Sequence, residues 1–234
     1  VVGQVAGVEA LAALGAVDFL MWVVTGISTG LTQGFSIQLS QYYGAKDFEN
    51  LRKSLAHSYR LTAFIAAGVL ILSQSFASLV LTGLHTPSNI IGMSLLYLRI
   101  IFCGIPATAA YNMFASALRA MGNSKTPLTA MIIASVLNVS LDILFVAGFG
   151  WGVAGAAIAT VIAQSFSAVY CFLILRRIDI VHLTRADFMP ASGMNARLMK
   201  LGIPVVFQNI IIGVGGLVVQ YVINGYGFLF VAGF

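Results

Sequence analysis

The sequence predicts an all-α fold, a polytopic membrane helix bundle with six transmembrane helices. Three observations predict it. Hydrophobic residues fill 59% of the 234 positions and charged residues only 8%, against about 25% charged in a soluble domain. That leaves too little polar surface to cover a water-facing globule. The apolar runs repeatedly exceed the roughly 20 residues that cross a bilayer, and they are too long and too many for a signal peptide. Lys and Arg concentrate in the short segments between those runs. The chain starts on Val1 inside an apolar stretch and stops at Phe234, so both ends are expected to be cuts.

The six helices are expected near 9–42, 51–81, 88–118, 126–148, 152–176 and 197–225. In the first, Gly26, Gly30 and Gly34 recur at spacing four, the small-xxx-small pattern that lets helix backbones approach closely. Thr25, Thr29, Thr32, Ser36 and Ser40 form a second stripe. Two roles fit that stripe: hydrogen bonding within and between helices, or one wall of a polar cavity. The second helix follows Gly44 and ends at Gly83. Thr86-Pro87 and Thr126-Pro127 each pair a capping residue with a proline suited to the first turn, and are read as the starts of the third and fourth helices. Gly122 and the Gly148–Gly152 stretch separate spans. Pro106 and Pro204 lie inside spans and are expected to kink them. The sixth helix repeats the first one's theme with Asn209, Gly213, Gly216, Gln220 and Asn224.

Loop charge gives the orientation. Lys46, Arg52 and Lys53 flank the first loop, Arg119 and Lys125 the third, and Arg176, Arg177, Arg185, Arg197 and Lys200 the fifth. The loops near 82–88 and 148–152 carry no Lys or Arg. By the positive-inside rule the cationic loops are cytoplasmic. The net charge of +5 is therefore a topology signal, and no nucleic-acid partner is expected. The polar segment 177–196, with Pro190, Ser192 and Gly193, reads as a linker between two bundles. Cys103 and Cys171 fall in apolar runs and read as small buried hydrophobes. His57, His85 and His182 are dispersed and read as structural or exposed. No Cys/His cluster has metal-ligand spacing.

Four charges lie well inside spans, away from their ends: Asp18, Arg60, Arg99 and Asp142. An intramembrane charge costs several kcal/mol, so each needs a partner or a purpose. Asn138 precedes Asp142 by one turn on the same helix face. An amide beside a carboxyl can hydrogen-bond it or help hold a cation, and such an acid in a dry cavity can exchange a proton near neutral pH. The competing role is a structural acid paired with arginine. Asp142 lies eight residues before Gly150 and Thr160 ten after it, so their depths differ by only about 3 Å. Thr160 and Gln164 are also one turn apart. Asp142, Asn138, Thr160 and Gln164 are therefore expected to converge between adjacent helices, with Asn112 roughly 8 Å nearer the cytoplasm. Asp18 and Arg99, at similar depth, are expected to pair. Arg60 can snorkel and reads as an anchor.

These residues sit in stretches that resemble the multidrug and toxic compound extrusion (MATE) family. The stretches are GVEALAALG at 7–15, SQYYGAKD at 40–47, ALRAMGNSKTP at 117–127, LNVSLDILF at 137–145, GVAGAAIATVIAQ at 152–164 and KLGIPVVFQNI at 200–210. They occur in the family's order and cover nearly the whole chain. The resemblance implies part of a twelve-helix, two-lobe transporter, with the first helix here being the family's second. Residues 1–178 would form the N-terminal lobe lacking most of its first helix, 179–196 the cytoplasmic linker, and 197–234 the start of the second lobe. Gly7 with Leu11-Ala12-Ala13 aligns with Gly227 followed by Val231-Ala232-Gly233, a trace of the repeat such transporters carry.

The resemblance implies an antiporter in the cell (inner) membrane that exports drugs or organic cations in exchange for protons or sodium ions. It implies no other cofactor, a cationic or amphipathic substrate, a monomeric complete protein, and Asn138, Asp142, Thr160 and Asn112 as site residues. A sodium ion would sit at Asp142 and Asn138. Two departures stand out. The family's first helix and its acid are missing, and the last helix offers Gln208 and Asn209 but no carboxylate. A lipid-linked saccharide flippase of related fold is the alternative, although it would be expected to line its cavity with several cations and only Arg99 lies deep. An intramembrane aspartyl protease would use Asp18 and Asp142 as a dyad, but neither has the Gly-rich context such enzymes favour. No enzyme activity is expected.

The topology is testable by labelling. Cysteines introduced at 45–50, 120–125 or 185–195 should react only from the cytoplasm, and those at 84–86 only from outside. Labelling of position 122 from outside intact cells would reverse the orientation.

Overall fold

The computed structural model describes residues 2–226. The repeat trace at Gly227 and Val231–Gly233 lies outside the described residues. The described chain is built from helices, short one-turn segments and loops. Two short helices, α1 (Val2–Val5) and α2 (Val8–Gly15), lead into α3 (Asp18–Gly44), and α2 and α3 together make one apolar span. Next come α4 (Phe48–Gly83), α5 (Ile91–Cys103), α6 (Ile105–Ala120) and α7 (Lys125–Asp142). A π-helical turn over Ile143–Gly148 continues α7, and α8 (Gly152–Arg176) and α9 (Met194–Asn224) follow. Five helices are long and apolar enough to cross a membrane, and the bent α5–α6 pair makes the sixth span. Phe64, Ile71, Leu79 and Val136 point outward, as apolar side chains do where lipid is the solvent.

Local signals set the element ends. Asp47 caps α4 by accepting from the Asn50 backbone N–H at 3.1 Å, and it also takes the Asn50 side chain at 2.7 Å. Those two bonds hold the Asp47 carboxyl below the usual carboxylate range. With 36 residues, α4 is about 54 Å long, so its charged first turns project beyond the hydrocarbon. The α5–α6 pair bends by 47° at Gly104 and Pro106, as the proline predicts. Gly104 is required there: a Cβ would stand 2.7 Å from Val161 of α8.

Several expectations are corrected. The third span does not begin at Thr86-Pro87; those residues lie in a turn, Ile90 and Ile91 N–H both bond the Pro87 carbonyl, and α5 starts at Ile91. The fourth is capped by Asn123, whose Oδ1 accepts from Thr126 N–H at 3.1 Å. α9 stays helical through Pro204, so that proline does not end the span. Cys103 is exposed and Gln74 donates to its Sγ at 3.3 Å, while Cys171 is buried. The segment expected to be a linker folds into two 3₁₀ turns, Asp179–Val181 and Arg185–Phe188. It is strapped to α4: buried His57 meets Asn195 Oδ1 at 2.7 Å and the Met189 carbonyl at 3.1 Å, and Arg60 donates to the Phe188 carbonyl at 3.1 Å.

The glycine stripe of α3 packs on α9. A Cβ at Gly34 would stand 2.3 Å from the Cα of Gly202, and one at Gly30 would stand 2.8 Å from the Val206 backbone. Backbone cannot retreat as a side chain can. Gly34→Val should therefore separate α3 from α9 and lower the Tm in detergent by several degrees, as overpacking does. Gly68→Ala, where nothing lies within 4 Å, should leave Tm unchanged. Equal melting of both variants would show that the crossing does not support the fold.

Candidate functional site

The first-helix hydroxyl stripe divides between the two roles open to it. Thr32, Ser36 and Ser40 bond carbonyls of their own helix at 2.6–3.0 Å, the usual satisfaction of a hydroxyl in a span. Thr25 also bonds back, to the Met21 carbonyl at 2.7 Å, yet with Thr29 it lines a cleft of about 520 Å³. Walls of this cleft come from α3, α5, α6, α8 and α9. They carry Asp18, Asn112, Thr160, Gln164 and Asn209 between the aromatic faces of Trp22, Tyr97 and Tyr111. A second cavity of about 240 Å³ lies between α6, α7 and α8 and holds Ser135 and Asn138. Tyr111, Thr160 and Gln164 line both.

The structure brings Asn138 and Thr160 together across the α7–α8 hairpin. The Asn138 amide donates to Thr160 Oγ1 at 3.3 Å, and that hydroxyl donates to the Ala156 carbonyl at 3.0 Å. Asp142 is half-buried on the same face of α7, one turn on. Its Oδ1 is buried without a hydrogen-bond partner, and so is Oε1 of Gln164. Asp142 ends the regular α-helix, and the π turn begins at the next residue. Such turns widen the backbone and are frequent at functional sites. Asn138 thus reaches across to α8 rather than back to Asp142.

Asn112 belongs to the other wall. Its amide donates to Thr29 Oγ1 at 3.0 Å, so it joins α6 to α3 and faces Thr160 and Gln164 across the cleft.

The Asp18–Arg99 pair does not form. Among the described residues the ion pairs are Arg52–Asp187, Lys53–Glu49 and His182–Asp179. Asp18 instead opens the first turn of α3, where the exposed N–H groups of a helix start favour a carboxylate, and it faces the cleft. Arg99 is exposed, and Gln74 donates to its backbone carbonyl at 2.8 Å. Tyr97 lies within electrostatic reach of both Asp18 and Asp142. The sequence reading passed over Tyr97, Trp22 and Tyr111. The available signal was position: Trp22 lies one turn before Thr25, and Tyr111 adjoins Asn112.

The MatE family model matches residues 1–144, and the chain belongs to that family. It is 31% identical over 233 residues to the probable multidrug resistance protein YpnP of Bacillus subtilis, covering all of this chain and 52% of that protein. It is 28% identical over 234 residues to the probable multidrug resistance protein YoeA of the same organism, covering 97% and 50%. The multidrug export protein MepA of Staphylococcus aureus is 24% identical over 208 residues, covering 88% and 46%. The chain thus spans about half the length of the curated relatives it matches. Among solved structures, an inward-facing multidrug resistance MATE family transporter of the MOP superfamily superposes with a TM-score of 0.92 at 23% identity, covering 98% of this chain and 53% of that one. A MATE structure in the bent conformation gives 0.85 at 24%, covering 89% and 47%. These likenesses show the fold. Family and apolar helices together make this a multi-pass membrane protein of the cell membrane.

A polar cleft in a membrane bundle should hold water. Cysteines at Thr29 and Gln164 should react with a small hydrophilic thiol reagent, and one at Ile71, on the outward face of α4, should not. Unreactive positions 29 and 164 alongside a reactive 71 would show that the cleft is dry.

Proposed function

We propose that the protein containing this chain is a secondary active antiporter that exports drugs or organic cations in exchange for protons or sodium ions. The observation that carries the reading is the unmet, buried Oδ1 of Asp142, one helical turn along α7 from the Asn138–Thr160 bond. A buried acceptor without a donor costs about 1–3 kcal/mol, and more when it is charged. A proton on Asp142 relieves that cost. So does a sodium ion held between the Asp142 carboxylate and the Asn138 carboxamide oxygen, both of which can accept. Loading and unloading this cluster changes the charge beside the cleft, and that change can bias which side the cleft opens to.

The substrate class follows from the cleft. Aromatic faces at Trp22, Tyr97 and Tyr111, with the Asp18 carboxylate among them, suit an amphipathic cation. The multidrug relatives support the same class. The reading assigns translocation with no bond made or broken.

The test is Asp142→Asn in the complete protein. Asn keeps the shape and removes the titratable proton and the charge. Among the described residues Asp142 has no arginine partner whose loss would strand a cation, so membrane abundance should be preserved. Export of a cationic dye driven by a proton or sodium gradient should fall to background. Normal abundance with undiminished, still ion-dependent export would remove Asp142 from the coupling role.

A further inference from the structure

The side of α6 and α8 turned away from the cleft carries a second feature. The cleft takes Thr108, Tyr111 and Asn112 from α6. Ala107, Ala110 and Phe114 lie on a different face of that helix, and with Ser165, Val169 and Phe172 of α8 they bound a groove of about 330 Å³ with no polar surface. The small alanine side chains make the groove. Positions 165, 169, 172 and 176 of α8 follow at helical spacing, so one continuous stripe leads from the groove to Arg176.

There the groove meets a second cavity of about 230 Å³, bounded by Tyr59, Phe172, Arg176, His182 and Leu183. Phe172 lines both cavities. The Arg176 guanidinium sits 5.8 Å over the Phe172 ring, which holds it at the mouth. Arg176 is exposed and forms no ion pair among the described residues. Arg177 follows it, and the carboxylate nearby in sequence, Asp179, lies 3.8 Å from His182. The charged end is on the side the loop cations mark as cytoplasmic. From Ser165 to Arg176 the stripe runs about 16 Å, half of a hydrocarbon core of roughly 30 Å.

An apolar trough one leaflet deep, ending in an unpaired guanidinium at the cytoplasmic surface, matches a lipid with a fatty chain and a phosphate. Guanidinium binds phosphate by paired N–H donors and is held well against aromatic faces. Basic pockets between spans on the cytoplasmic side are recognised lipid sites. We propose that the α6–α8 groove binds one anionic phospholipid of the cytoplasmic leaflet, with an acyl chain along Ala107, Ala110 and Val169 and the phosphate at Arg176.

The experiment is native mass spectrometry of the complete protein, delipidated and then offered phosphatidylglycerol and phosphatidylcholine in equal amounts. The intact protein should retain phosphatidylglycerol in preference. Arg176→Gln, an exposed substitution that leaves the fold alone, should reduce that preference about fivefold, the effect of one cation at the membrane surface. Lys125→Gln, a cytoplasmic cation away from the groove, should leave it unchanged. Ala110→Leu, which fills the trough, should lower retention of both lipids. Equal retention of the two lipids by the intact protein would overturn the proposal. So would an equal loss of preference in Lys125→Gln and Arg176→Gln, because the attraction would then belong to the whole cationic surface.

Discussion

At Gly34 and Gly202 the backbones of α3 and α9 come so close that a methyl group on Gly34 would stand 2.3 Å from the facing Cα. The contact continues outward through Gly30 against Val206, Val23 against Gly213 and Phe19 against Gly216. Lipid tails are as apolar as leucine, so no hydrophobic force drives helices together inside a bilayer; close packing and interhelical hydrogen bonds must do it. Both are present here, because Asn209 donates to the Gly26 carbonyl at 3.1 Å along the same seam. Once the glycine face of α3 is turned to α9, Thr25 and Thr29, one residue earlier around the helix, must face α6 and α8. The cleft wall is thus a consequence of the crossing.

The polar groups of the bundle then fall into two kinds. Ser140, Ser165, Thr32, Ser36 and Ser40 return their protons to their own helices and ask for nothing further. Asp142 Oδ1 and Gln164 Oε1 cannot be met in that way, because a carboxylate oxygen and an amide oxygen only accept. Asn138 gives its amide to Thr160, and Thr160 gives its hydroxyl to Ala156. Buried oxygens without a partner also occur on α3 and α4, at Ser28, Gln38, Ser54, Ser58 and Thr62, but among them only Asp142, where α7 passes into the π turn, is a carboxylate. Phe145, within that turn, stacks on both Phe149 and Trp151, and the three rings close the outer end of the hairpin with apolar surface.

What the sequence made legible follows from which forces are local. Span number and order could be read because a bilayer demands long apolar runs whatever their neighbours. The meeting of Asn138 with Thr160 could be read because a tight hairpin at Gly150 leaves only the helical rise to count. Asn112 escaped the same reckoning: depth alone gave its distance from the cytoplasm, and its bond to Thr29 depends on the rotation of α6 against α3. Asp18 was misread for a similar reason. Matching depth to Arg99 said nothing about the break before α3 that gives the carboxylate a helix start instead. The π turn left no pattern at all, since ILFVAG is as apolar as any helix around it. The linker looked polar and loose, and only the fold shows that His57 and Arg60, read singly as structural or snorkelling, close over the same segment.

On the proposed reading, Asp142 carries the coupling ion and gives it up when substrate binds. Calorimetry on the complete protein measures this directly. Titrations with a cationic substrate in buffers of different ionisation enthalpy count protons released, and the same titrations across sodium concentrations count sodium ions. Close to one proton or one sodium ion should be released per substrate bound, and none when Asp142 is replaced by Asn. Substrate binding that releases neither ion, or releases the same number without the Asp142 carboxyl, would contradict it.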